Sequence, residues 1–203
     1  DVYKRQGYYK ITEYVNGLFD MESNDIRGLN YTYNADGYIW KYLGVDKTTA
    51  RAASENDQNY IIYRLADVLL MKAEALIMQG HNEDAADLID RTRERAGLGE
   101  TTLSDDRMVM LETLLVERQK EFFGEGKNWF DLLRIGLRSE QLNDTQYKTL
   151  FVEQALKAVG ASRQSLGRAT LANSGSWYLP YSEDELSKNP LLEQSDYYQS
   201  ISN

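Results

Sequence analysis

Tyr60 to Gln79 is the stretch that most narrows what this chain can become. It is apolar nearly all round, which predicts a buried helix, and Gly80 supplies the stop. Asn82 then caps a second helix, with Glu83 and Asp84 in its positive first turn and Arg91, Arg93 and Arg95 near its negative end, before Gly97 stops it. Ala85, Ile89, Thr92 and Ala96 recur on one face at i, i+4, i+7 and i+11. Ala73 and Ala85 are the small residues where the two helices approach, and Leu76 and Ile89 fill the gap between them. Met71 and Met78 read as core filler. This spacing is tetratricopeptide-like, and one such unit is too little to bury a core by itself.

More helices follow. Ser104 begins a third, in which Met108, Leu111, Leu115 and Phe122 share a face until Gly124. A short fourth runs from about Asn128 to Ile135, with Trp129, Phe130, Leu132 and Leu133 in the core and Gly136 at its end. Tyr147 to Val159 is a fifth. Gly160 to Ser176 is rich in Ser, Gly, Arg and Ala and reads as a surface loop. From Trp177 to Asn203 the chain holds both prolines and reads as an extended tail pinned by Trp177 and Tyr178.

Before Tyr60 the chain is polar, aromatic and irregular. Tyr31 and Tyr33 alternate with polar residues, Asn34 to Gly37 has turn chemistry, and Tyr38, Trp40 and Tyr42 alternate again. That pattern predicts a β-hairpin with a four-residue loop and five aromatics on one face. Lys47 to Asn59 reads as a connecting loop. The fold class expected from the whole is mainly α, a tetratricopeptide-like superhelix with an irregular, partly β variable region.

Composition removes several functions. The 203 residues carry 23 Lys and Arg against 32 Asp and Glu, a net charge of −9 without a basic block, which speaks against binding nucleic acid. No cysteine is present and His81 is the lone histidine, so disulfides, thiolate zinc, a Cys nucleophile and a His triad within this chain are excluded. His81, at a helix start, reads as a turn residue. No cofactor or metal is expected, since no Asp/Asn-rich calcium loop appears.

Asp1 to Gln6 is what the end of a common transposase adapter encodes. Residues 1–6 are therefore expected to be a sequencing-library remnant, with the natural N-terminal part missing. Residues 7–59 would be the irregular segment of a variable half, and residues 60–203 a helical region with its tail.

Four motifs in order carry a resemblance. They are Tyr60 to Ala75, Arg93 to Leu98, Glu117–Arg118 with Glu121 to Arg134, and Leu179–Pro180 with Glu183 to Glu185 and Asn189 to Gln194. Together they resemble the signature of the SusD/RagB family of Bacteroidetes surface lipoproteins. Asp67 stands where that signature has Glu, and Glu193 to Tyr197 departs from its usual ending. The resemblance implies an outward-facing lipoprotein of the outer membrane, held by an N-terminal lipid anchor outside this fragment. It implies an oligosaccharide or other glycan (less often a peptide) as ligand, a SusC-like TonB-dependent transporter as partner, and binding rather than catalysis.

The charged motif residues Arg64, Asp67, Glu74, Glu117, Arg118, Glu121, Glu125, Asp131 and Arg134 read as a structural ion-pair network, because desolvated charges must be partnered. The competing reading, a glycosidase built on two of the carboxylates, is disfavoured: Glu117 and Glu121 lie one helical turn apart with Arg118 between them. The chain holds 15 Tyr, 5 Phe and 3 Trp, aromatic area with polar tips that suits a wet recognition surface. Trp40, Tyr38 and Tyr42, beside Asn34 and Asp36, are the candidate ligand residues; the alternative is that their face packs the hairpin onto the helices. Tyr8, Tyr9, Tyr31 and Tyr33 are weaker candidates. A helical scaffold that binds protein partners and no sugar is the other functional reading.

Overall fold

The computed structural model describes residues 10–22, 24–29, 31–42 and 59–201. The expectations for residues 1–6, for Tyr8 and Tyr9, and for all of the Lys47–Asn59 loop but Asn59 lie outside the described residues. The chain divides into two compact units, Asp1–Arg134 and Ile135–Asn203. The fold is mainly helical, as the sequence predicts, and the described residues contain isolated β-bridges rather than strands.

In the first unit α1 (Glu13–Asp20) is capped by Thr12 and buries Leu18 and Phe19. The helical hairpin consists of α2 (Leu65–Gln79) and α3 (Asn82–Arg95). Gly80 joins them at φ 81°: its N–H bonds Ile77 O and the His81 N–H bonds Leu76 O, a left-handed cap that a side chain would strain. Asn82 is the first residue of α3 rather than its cap, and its Nδ2 bonds Ser104 O at 2.8 Å. Ala73 and Ala85 are fully buried at the approach, but Ile77 rather than Leu76 fills the gap with Ile89. The whole predicted inner face of α3 (Ala85, Ile89, Thr92, Ala96) is buried.

α2 starts five residues later than the sequence suggests, after an extended run through Arg64, and only one side of it is covered. Asp67, Leu70, Ala73, Glu74 and Ile77 face inward, toward α3 and α4 (Arg107–Glu121). Leu65 is 68% exposed, Val68 53% and Met71 39%, so Met71 is not core filler. Asp106, not Ser104, caps α4 by accepting the Met108 N–H at 2.7 Å.

α5 (Asn128–Gln141) runs straight through Gly136. A Cβ there would sit 3.0 Å from Phe151 Cγ and 3.0 Å from Trp177 Cζ3, so the glycine serves close packing and does not end the helix. The register turns Asp131, Leu132 and Ile135 inward and leaves Trp129 39% and Phe130 67% exposed, against the expectation that both were core.

In the second unit α6 (Thr145–Leu156) is capped by Asp144 and buries Tyr147 and Phe151. The predicted surface loop is instead a helix, α7 (Ala161–Leu171), with no buried residue. Ala, Arg, Gln and Leu among its residues favour helix, and this outweighs the Ser and Gly that suggested a loop. The tail is not extended either. It contains a 3-10 turn at Ser174–Trp177, α8 (Glu183–Lys188) capped by Ser182, and α9 (Asp196–Ile201). Trp177 is buried against Phe151, ring centroids 4.3 Å apart, and its Nε1 donates to Leu171 O at 2.9 Å. Tyr178 stays half exposed and accepts at its carbonyl from the Tyr198 hydroxyl.

Candidate functional site

The charged residues of the motifs lie inside the first unit, in two circuits. In the first, Asp67 of α2 accepts from Arg118 Nη2 at 2.9 Å and from Lys127. Arg118 also holds Asp131 with two bonds of 2.8 Å, and Asp131 accepts from Arg134 Nη2 at 3.0 Å. Arg134 in turn donates to Glu74 at 2.6 Å. The Asp67 carboxyl lies below its usual range: burial acts to raise it, and the Lys127 and Arg118 hydrogen bonds overcome that. Pairing with Glu74 likewise raises Arg134 against the pull of burial.

The second circuit runs along α4. Glu117 accepts from Arg27 Nη1 at 2.5 Å, with Arg93 Nη1 3.8 Å away. Glu121 meets Arg27 at 3.1 Å, Arg95 at 2.5 Å and Arg64. Lys120 is buried and reaches Glu22 at 2.6 Å and Asp25 at 3.5 Å. Glu125, just beyond the helix, takes Lys41 at 2.5 Å and Arg64 at 2.8 Å. The Phe122 ring lies between the circuits, with Arg64 Cζ at 4.7 Å, Arg118 Cζ at 4.8 Å and Lys127 Nζ at 5.0 Å from its centre.

Glu117 and Glu121 are shifted in opposite directions. Burial pushes Glu117 up despite Arg27, whereas Arg64 and Arg95 bring Glu121 down against its burial. Such a split could suggest an acid and a base. Both carboxylates are sealed from solvent and already occupied by guanidinium groups, so neither faces a space a substrate could enter. Arg27, Glu22, Asp25, Lys41, Arg93, Arg95, Lys120 and Lys127 belong to these circuits and were not among the nine residues named for such a network from the sequence, Glu125 being one of the nine. The signals available for them were the Asp25-x-Arg27 and Lys41–Tyr42 pairs and the basic end of α3.

The aromatic candidates do not form one flat face. Tyr33 is buried among Phe19 and Phe123, and Tyr31 is exposed. The turn is real: Asn34 N–H donates to Tyr38 O at 3.0 Å and the Gly37 N–H to Asn34 O at 2.9 Å. Around it the described residues form isolated bridges, Tyr33 with Ile39, Lys10 with Tyr38 and Leu29 with Tyr33. Tyr38 is half-buried under Lys10 Nζ, 4.8 Å from its ring centre. Trp40 is half-buried and its backbone N–H donates to Thr32 O at 2.7 Å. Tyr42 stacks on Tyr60 at 6.3 Å and 9°, and burial, then the Glu125 carboxylate, raise its phenol. The Asn34 side chain is engaged as acceptor of the Tyr38 N–H at 2.8 Å. Asp36 is exposed at the turn tip.

Among the described residues no group of three or more His, Cys, Asp or Glu is arranged to hold a metal, and no helix is long and apolar enough to cross a membrane. A tetratricopeptide-like helical pair backed by charge circuits, with an irregular aromatic segment before it, makes this a mainly helical protein.

The chain belongs to the SusD family, whose sequence profile matches residues 3–198. SusD-like protein P38 of Formosa agariphila is 37% identical over 89 residues, covering 40% of this chain and 18% of that protein. SusD-like protein P25 of the same organism is 29% identical over 171 residues, covering 83% of this chain and 28% of that protein. A crystal structure of a SusD superfamily protein from Bacteroides fragilis superposes with a TM-score of 0.53 at 30% identity, over 68% of this chain and 28% of that one. The chain thus spans less than a third of the length of these relatives. Proteins of this family are, in general, glycan-binding components of nutrient uptake at the outer membrane, binders rather than enzymes.

Proposed function

We propose that this chain is part of a surface glycan-binding component of a SusCD-type TonB-dependent uptake system, capturing oligosaccharides for import. Family membership over residues 3–198 is the observation that carries this reading. The full-length protein is then an outward-facing lipoprotein held by an N-terminal lipid and seated on a SusC-like transporter. Capture beside the pore raises the local concentration of cargo before transport.

The ligand is held by the segment around the Asn34–Tyr38 turn. Tyr38 and Trp40 are only partly buried, and sugar C–H faces stack on flat aromatic surface. Asp36 at the tip accepts hydroxyl hydrogen bonds. Asn34 and Tyr42 act behind them, the first fixing the turn and the second anchoring the segment on Tyr60. No bond is broken, because the buried carboxylates stay inside their ion pairs.

Polysaccharide affinity gels comparing the wild-type chain with Trp40→Ala test the site. A glycan that retards the wild type should retard the variant less. Equal retardation would remove this segment as the site.

A further inference from the structure

Within the first unit, the extended run before α2 and the start of α5 border a groove of about 330 Å³. Three aromatic rings line it, Tyr60, Tyr63 and Phe130, which are 64%, 72% and 67% exposed. A concave site with aromatic walls and a few polar groups is the usual form of a small-ligand site. The charged side chains of the lining balance, with Asp67, Glu125 and Asp131 against Arg118, Lys127 and Arg134. Each of the three acids is already paired, Asp67 and Asp131 with Arg118 and Glu125 with Arg64. Arg118 is only 3% exposed, and its Nε and Nη2 are engaged. Its Nη1 has no hydrogen-bond partner among the described residues. A buried donor left without an acceptor is costly, so this wall has an unmet demand for oxygen.

We infer that the groove is a second sugar subsite, and that the glycan it takes is an uncharged oligosaccharide running on from the Asn34–Tyr38 turn. The inference rests on the glycan reading above and adds to it a place and a substrate class. Three other occupants fit worse. A cationic group finds its seat taken, because Lys127 Nζ lies 5.1 Å from the Tyr63 ring centre and 5.0 Å from that of Phe122. An anionic sugar meets no excess of positive charge in the groove, a net charge of −9 over the chain, and the exposed Asp36 at the turn tip. A purely apolar occupant leaves Arg118 Nη1 without its acceptor. A neutral sugar stacks its C–H faces on the open rings and offers hydroxyl oxygens to the guanidinium. The two subsites are also joined. Tyr42, two residues beyond Trp40, stacks on Tyr60 at 6.3 Å and 9°, and the Tyr60 hydroxyl donates to Glu125 O at 2.6 Å.

Affinity gels carrying uncharged polysaccharides (a glucan, a mannan and a xylan) or anionic ones (a polyuronate and a sulfated galactan) test this. The wild-type chain is compared with Tyr63→Ala, Phe130→Ala, Trp40→Ala and Val68→Ala, with circular dichroism as the folding check. Dissociation constants follow from mobility against polysaccharide concentration. An uncharged glycan should retard the wild type, and Tyr63→Ala and Phe130→Ala should each bind it about two- to tenfold more weakly. Val68→Ala, on α2 but outside the groove, should bind like the wild type. Unchanged affinity in both groove variants, with a loss in Trp40→Ala, overturns the subsite and leaves the turn as the site. Retardation by the anionic polysaccharides alone overturns it too, while glycan binding itself stands. An equal loss in Val68→Ala overturns it by showing that the effect is not local. A wild-type chain that none of these polysaccharides retards overturns both readings.

Discussion

Arg118 holds Asp131 side-on, Nε to Oδ2 and Nη2 to Oδ1, both at 2.8 Å, and the same Nη2 reaches Asp67 at 2.9 Å. One guanidinium therefore joins α4, α5 and α2 where water is excluded. Removing it with Arg118→Met leaves two buried carboxylates short of a partner, and the expected loss is about 3–5 kcal/mol. Arg118→Lys should recover little, because an ammonium cannot reproduce the planar fork. Urea denaturation of the three proteins measures both.

Glu121 allows exposed and buried pairing to be compared at one carboxylate. Glu121→Gln leaves Arg27, Arg64 and Arg95 without their shared charge, and should cost about 3–5 kcal/mol in denaturation midpoint terms. Arg95→Ala breaks one of the same bridges, but the Arg95 side chain is 59% exposed, so its loss should stay below about 1 kcal/mol. Similar losses for the two variants would contradict the view that burial, and not the number of bridges, sets their worth.

Acid should loosen the first unit. Glu22, Asp25, Asp67 and Glu121 are held below their usual range, so the folded state binds fewer protons than the unfolded one at mildly acid pH. Stability contributed by these groups is present above their unfolded values and is lost as pH falls through the folded ones. Glu117, raised by burial, works the other way: its contribution is present at low pH and fades as pH rises. Urea midpoints should fall on acidification below about pH 5, and Glu117→Gln should steepen that fall. A midpoint that is flat or rises toward acid would refute the assignment.

Gly136→Ala tests the close contact in the second unit. The added methyl meets the Phe151 and Trp177 rings at 3.0 Å, where neither can retreat within a packed core. Overpacking should cost about 1–3 kcal/mol, although alanine is the better helix former. Tryptophan fluorescence should report the displaced Trp177. An unchanged emission with raised stability would show that the rings have room to move.

Most of the helical framework was legible because its signals are local. The inner face of α3 followed from spacing alone, and Gly80 marked a chain reversal that the φ of 81° demands. Two glycines look alike in sequence, however, and only packing distinguishes Gly80 at a cap from Gly136 inside α5. α7 was hidden because it buries nothing, so no apolar periodicity betrays it. Trp129 and Phe130 misled for a related reason: hydrophobicity gives the preference for burial, and the register set by Asp131 decides which residues receive it. In the candidate site, Tyr33 was drawn inward by Phe19 and Phe123, contacts made across long sequence separations that alternation cannot encode.

The inner face of α4 places Glu117, Arg118, Lys120 and Glu121 where other helices carry leucine. A charge in that setting cannot drift to a neutral residue by itself, since the abandoned partner stays trapped. Change along this helix must come as matched pairs of substitutions, and related sequences should therefore vary at these sites jointly, with Arg27 and Glu117, or Arg118 and Asp131, gained and lost together.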